Sequence, residues 1–153
     1  TKKALVVYNT MWQSTETMAK AIADGLMQQG VSVKMMNLSQ THRSDVLTEL
    51  LDAKALIVGS PTLNNGIMPA VADILTYIKG LKPKNKIGAA FGSYGWSGEA
   101  VAELDSILES MKVKLTGEGV RTVYVPDSEV LGRCRDLGAE VGAELRKMTG
   151  GEE

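Results

Sequence analysis

At 153 residues and 44% hydrophobic content, the chain has the length of one domain and enough apolar material for a single core. Lys plus Arg (17) nearly balance Asp plus Glu (18), which excludes a broad basic field for nucleic acid and an acidic disordered tail. No apolar run approaches the ~20 residues that span a bilayer, nothing resembles a signal peptide, and the single Cys134 excludes an internal disulfide, so a cytoplasmic protein with no nucleic-acid or membrane partner is expected.

The chain opens at Thr1 without a methionine, which fits a trimmed protein or one cut from something longer. Residues 3–8 (KALVVY) form a continuous apolar run and predict a strand buried on both faces. From Thr15 the period changes to that of a helix, with Met18, Ile22 and Leu26 in a stripe beside Ala19 and Ala23 and with Gly30 as the stop. Residues 31–35 (VSVKM) alternate in polarity and predict an edge strand, and Val46, Leu47, Leu50 and Leu51 make a second helical stripe.

Residues 55–59 (ALIVG) predict another buried strand, followed by turn residues and a third helix carrying Val71, Ile74, Leu75 and Ile78, closed by Gly80. A fourth strand runs over 87–91 (IGAAF), and its loop leads into a helix with Val101, Leu104, Ile107, Leu108 and Met111. Residues 113–115 and 120–125 are short or mixed in polarity and predict an interrupted edge strand. The last helix starts near Pro126-Asp127, carries Val130, Leu131, Cys134, Leu137, Val141 and Leu145, and leaves residues 150–153 as a frayed tail. Cys134 in that stripe is expected to be core rather than a nucleophile or a ligand.

Strand and helix alternate five times with no internal repeat or linker, so residues 1–149 are expected to form one α/β domain, doubly wound on a five-stranded parallel sheet with helices on both faces. Strands one, three and four are continuously apolar and therefore internal, while two and five are edges, which is the order 2-1-3-4-5 with a switch point between strands one and three. The loops after the three internal strands then meet at one end of the sheet.

Those loops are the richest in Ser, Thr, Asn, Gly and aromatic residues. In the first, Thr10, Met11, Trp12, Gln13, Ser14 and Thr15 offer three hydroxyls and the free amides of a helix start; they suit a phosphate monoester or serve as an ordinary helix cap. Neither GxxxxGK[ST] nor GxGxxG follows the first strand, which points away from a nucleoside triphosphate or dinucleotide. In the second, Thr62, Asn64 and Asn65 can meet a ring edge that has both donors and acceptors, with Gly66 permitting an unusual peptide geometry, or the segment is a plain turn. The third, Ser93, Tyr94, Gly95, Trp96, Ser97 and Gly98, places two aromatic faces, two hydroxyls and two glycines in six residues, as a flavin clamp would or as surface and core aromatics would. Taken together at one switch point, they favour an FMN site.

The stretches TMWQST, SPTLNNG and FGSYGWSGE, with five βα units in a short chain, resemble the flavodoxin-like domain of flavodiiron proteins, the oxygen and nitric oxide reductases of anaerobic microbes. The resemblance covers essentially the whole chain. It implies that Thr10, Ser14 and Thr15 hold the FMN phosphate, that Pro61, Thr62, Leu63, Asn64, Asn65 and Gly66 line the ring edge, and that Ser93 through Gly98 cover the ring and ribityl chain. Gln13 departs from the pattern, since flavodoxins usually have glycine there. It further implies a rubredoxin or rubredoxin-like donor and a diiron site on a metallo-β-lactamase-like domain as acceptor, reached across a head-to-tail homodimer of the full-length protein. With His42 as the sole histidine, this chain corresponds to the flavin part alone, an electron-transfer domain of an oxidoreductase with no metal site of its own. A stand-alone flavodoxin or a small NAD(P)H:quinone-type flavin reductase is the alternative. A phosphorelay receiver is disfavoured because Asn9 and Ser60 occupy the places where it needs acidic residues.

Overall fold

The computed structural model describes residues 3–9, 14–38, 43–60, 69–80, 86–94, 99–110, 114–115, 120–123 and 128–148. The expected alternation is present: β1 Lys3–Tyr8, α1 Ser14–Gln28, β2 Ser32–Asn37, α2 Arg43–Asp52, β3 Ala55–Gly59, α3 Pro69–Gly80, β4 Ile87–Tyr94, α4 Glu99–Ser110, β5 Lys114–Leu115, β6 Val120–Val123 and α5 Ser128–Met148. Every strand pair is parallel, in the order β2-β1-β3-β4, with β5 and β6 both pairing β4. Ile87 and Phe91 each pair with β3 as well, so β5 and β6 lie along the other side of β4 and together form its fifth, edge strand. Gly88 faces Leu115 and Phe91 faces Val120, so the edge spends four intervening residues where β4 spends two. This is the interruption that the mixed polarity of 113–125 predicts.

Winding follows from crossover handedness. A right-handed β-α-β crossover puts its helix on one face when the chain moves one way across the sheet and on the other face when it reverses. Accordingly, Ala4, Val6, Tyr8, Ala55, Ile57, Ala89 and Phe91 point toward α1 and α5, while Leu5, Val7, Leu56, Val58 and Ala90 point toward α2, α3 and α4. Of the expected helical stripes, Met18, Ile22, Leu26, Val71, Ile74, Leu75 and Ile78 are buried, and Leu47, Ile107 and Leu131 are partly buried against the core. Edge strand β2 alternates in exposure, whereas β1 and β3 are buried almost throughout.

Two glycine features shape the α1/α5 face. Gly30 ends α1 at φ 78°, the left-handed region; its N–H donates to the Met27 carbonyl at 3.0 Å and that of Val31 to the Leu26 carbonyl at 3.2 Å, which is the Schellman pattern. Along the helices, a methyl group at Gly25 would overlap the Arg135 carbonyl oxygen and come within 2.9 Å of the Ala139 nitrogen, and one at Gly138 would overlap the Ile22 carbonyl oxygen. α1 and α5 therefore meet backbone to backbone.

The amino end of the sheet is closed by lysines. Lys86, just before β4, donates to the carbonyl oxygens of Leu50, at 3.0 Å, and Ala53, satisfying acceptors at the end of α2. Lys3 at the start of β1 pairs with Glu49 of α2 at 3.2 Å. The frayed tail expected at 150–153 and His42 lie outside the described residues. Among the described residues, no helix is long and apolar enough to cross a membrane.

Candidate functional site

At the carboxyl end of the sheet, Tyr8, Gly59, Phe91 and Val120 stand abreast in register across four neighbouring strands. With strands ~4.8 Å apart, the ends of β1 and β3 and the Phe91 level of β4 lie within about 10 Å of one another. The register continues one step beyond the paired strands: the Asn9 N–H donates to the Gly59 carbonyl and the Ser60 N–H to the Phe91 carbonyl, both at 3.2 Å. Asn9 and Ser60 are the buried polar residues of the described core, 6% and 0% exposed. The Phe91 ring occupies the space that a side chain at Gly59 would need, so the ends of β3 and β4 are fitted to one another.

The backbone places part of the expected site on this edge. Ser14 and Thr15 are the first two residues of α1, where the leading N–H groups of a helix have no intrahelical acceptor. Ser93 and Tyr94 are not loop residues: they are the last two of β4, opposite Thr122 and Val123. The apolar run ends at Phe91, but pairing with β6 gives the backbone of Gly92, Ser93 and Tyr94 a ladder partner, and β4 extends three residues further than hydrophobicity alone predicts. Thr10, Met11, Trp12, Gln13, Pro61, Thr62, Leu63, Asn64, Asn65, Gly66, Gly95, Trp96, Ser97 and Gly98 lie outside the described residues.

Sequence reasoning passed over a side-chain bond that bridges the first loop. The Tyr8 hydroxyl donates to Glu16 Oε1 at 3.0 Å, joining the last residue of β1 to the first turn of α1. Burial foremost, then the hydrogen bond and the negative charge of Glu16, pushes the Tyr8 phenol up to about 12, so it stays protonated and donating at neutral pH. The signal available in the sequence was a tyrosine closing an apolar strand eight residues before an acidic residue in a helix start. Cys134 is buried in α5 and its thiol is pushed up to about 12 by that burial, which removes nucleophilic character. Among the described residues, no cluster of three His, Cys, Asp or Glu could hold a metal ion.

Residues 6–145 match the family model described as flavodoxin. The chain belongs to the flavodoxin family. FMN is the cofactor of that family. Within it, the chain matches the flavodoxin-like domains of flavodiiron proteins. It is 49% identical over 144 residues to a nitric oxide reductase of Moorella thermoacetica, covering 94% of this chain and 36% of the relative. It superposes on the rubredoxin oxygen:oxidoreductase of Desulfovibrio gigas with a TM-score of 0.94 at 41% identity, covering 96% of this chain and 37% of that one. The flavodiiron protein of Giardia intestinalis gives a TM-score of 0.94 at 30% identity over 99% of this chain and 38% of that one. The chain thus spans about a third of the length of these three proteins.

The residues present fit FMN. The helix that starts at this edge opens with Ser14 and Thr15, and the N–H groups of its first turn, which lack intrahelical acceptors, are donors of the kind a phosphate takes.

Proposed function

We propose that this chain is the electron-transfer domain of an oxygen or nitric oxide reductase, receiving electrons from a rubredoxin-type donor and passing them to a diiron site on another domain. The observation that carries the reading is the match, over nearly the whole chain, to one third of proteins whose names specify nitric oxide reduction and rubredoxin-linked oxygen reduction. When bound, FMN supplies the redox chemistry, accepting and releasing electrons singly or in pairs.

The residues of this chain bind and orient. Thr10, Ser14 and Thr15 hold the phosphate with the free amides of α1, within a first loop completed by Met11, Trp12 and Gln13. Pro61, Thr62, Leu63, Asn64, Asn65 and Gly66 meet the polar edge of the ring. The segment from Ser93 to Gly98 covers the ring and ribityl chain, with Tyr94 and Trp96 supplying aromatic faces that exclude water.

Stopped-flow mixing of the FMN-loaded chain under anaerobic conditions tests the donor. Reduced rubredoxin should bleach the flavin absorbance within the mixing experiment, whereas NADPH should take far longer. Fast reduction by NADPH with slow reduction by rubredoxin would instead establish a small flavin reductase. Reoxidation should then require the separately prepared diiron domain for nitric oxide to be turned over to nitrous oxide; turnover by the chain alone would refute the relay.

A further inference from the structure

We propose that Tyr8 is a positioning residue for the cofactor phosphate, acting by holding the Glu16 carboxylate away from the amides at the start of α1. This rests on the reading of the first loop as the phosphate site.

Both ends of that loop are anchored without Tyr8's side chain. The Tyr8 carbonyl accepts from the Leu38 N–H at 2.8 Å and the Asn9 N–H donates to Gly59 at 3.2 Å, which fixes the end of β1 on both sides. α1 is seated on the core by Met18 and Ala19, which follow Glu16 closely, and on α5 through Gly25 and Gly138. The hydroxyl of Tyr8 is therefore surplus to holding strand and helix, yet it reaches Glu16 Oε1 at 3.0 Å.

Glu16 is the third residue of α1, the position from which a glutamate commonly folds back onto its own helix start. A carboxylate there is favoured by the same free amides and the same positive end of the helix dipole that would favour a phosphate. The two anions compete for one set of donors and repel each other. The Tyr8 hydroxyl, at the buried end of β1, gives the carboxylate another donor and draws one of its oxygens toward the sheet.

The test is a fluorescence titration of apoprotein with FMN and with riboflavin, which differ by the phosphate alone. In Tyr8→Phe the Kd for FMN should rise about fivefold, the worth of one hydrogen bond, with the Kd for riboflavin unchanged. Glu16→Gln removes the charge but keeps an acceptor for Tyr8, and should bind FMN at least as well as the parent protein. The decisive protein is the Tyr8→Phe/Glu16→Gln double variant, in which a released side chain is no longer an anion: FMN affinity should return to within about twofold of the parent. Riboflavin binding reports in each case that the fold and the ring site are intact.

An unchanged FMN-to-riboflavin ratio in Tyr8→Phe, an equal loss for both ligands, or a double variant as weak as Tyr8→Phe would each overturn the proposal. If the parent protein itself shows no preference for FMN, the phosphate assignment falls and this inference falls with it.

Discussion

On one face of the sheet, α1 and α5 touch through Gly25 against the Arg135 carbonyl and Gly138 against that of Ile22; on the other, α2, α3 and α4 reach the sheet through Val46, Leu50, Val71, Ile74, Leu75, Leu104 and Leu108. Aliphatic side chains have rotamers to change when a neighbour changes, whereas a carbonyl at van der Waals distance from a glycine has nowhere to go. The difference extends to the candidate site. The helix that follows the first loop is held by backbone contact, while the helices that follow the second and third loops rest on side chains that can repack. Both of the described groups whose protons are held more tightly than usual, Tyr8 and Cys134, also lie in the α1/α5 core.

The largest expected effect comes from Gly138→Ala. Its new methyl group overlaps the Ile22 carbonyl, so α1 and α5 must separate, and urea unfolding should show a loss of about 3 kcal/mol, the upper end of ordinary overpacking. Full stability in that variant would mean that the two helices slide as easily as those on the opposite face, and the contrast would be lost.

Alkaline pH, a condition rather than a substitution, should act on the same face. Cys134 and Tyr8 are raised to about 12 from ordinary values of 9.0 and 10.0. Between those limits the unfolded chain gives up protons that the folded chain keeps, so stability is whole below about pH 9 and falls as pH rises toward 12. Urea midpoints measured across that range should decline, and Cys134→Ala should flatten the early part of the decline even though it lowers stability at neutral pH.

On the aliphatic face, Ile74→Val removes one buried methylene that its neighbours can partly replace, and should cost about 1 kcal/mol. The smallest change is a gain. Gly132 lies in α5 with open space where a Cβ would sit, so Gly132→Ala should raise stability by about 0.5–1 kcal/mol through helix propensity alone. Opposite signs for two Gly→Ala changes in one helix, read from the same unfolding curves, would isolate the seam as the cause.

That pair also shows what the sequence made legible. Strand order followed from apolar continuity in 3–8, 55–59 and 87–91 and from alternation in 31–35, because burial on two faces or one writes itself into every second residue. The interrupted edge was readable in the mixed polarity of 113–125. The seam was not: Gly25, Gly132 and Gly138 all look like flaws in a helix, and which of them another backbone approaches depends on a partner more than a hundred residues away for Gly25 and Gly138 and on none for Gly132. The extra length of β4 likewise depended on a pairing that its own residues do not announce. At the candidate site, the helix start at Ser14 and Thr15 was legible from hydroxyls and period, while the Tyr8 to Glu16 bond joins side chains that no single-period pattern connects.

The broken outer edge bears on how the protein keeps company with copies of itself. A long straight edge strand exposes a row of unpaired amides and carbonyls on which another chain can extend the sheet, and parallel topologies, being slow to assemble, leave such rows open for longer. Here that edge is made of a two-residue and a four-residue piece, out of step by two residues, so a straight incoming strand that matches the first piece is out of register with the second. The opposite edge, β2, carries an exposed lysine, Lys34, in its middle. Among the described residues, both borders thus carry features that disfavour edge-to-edge pairing.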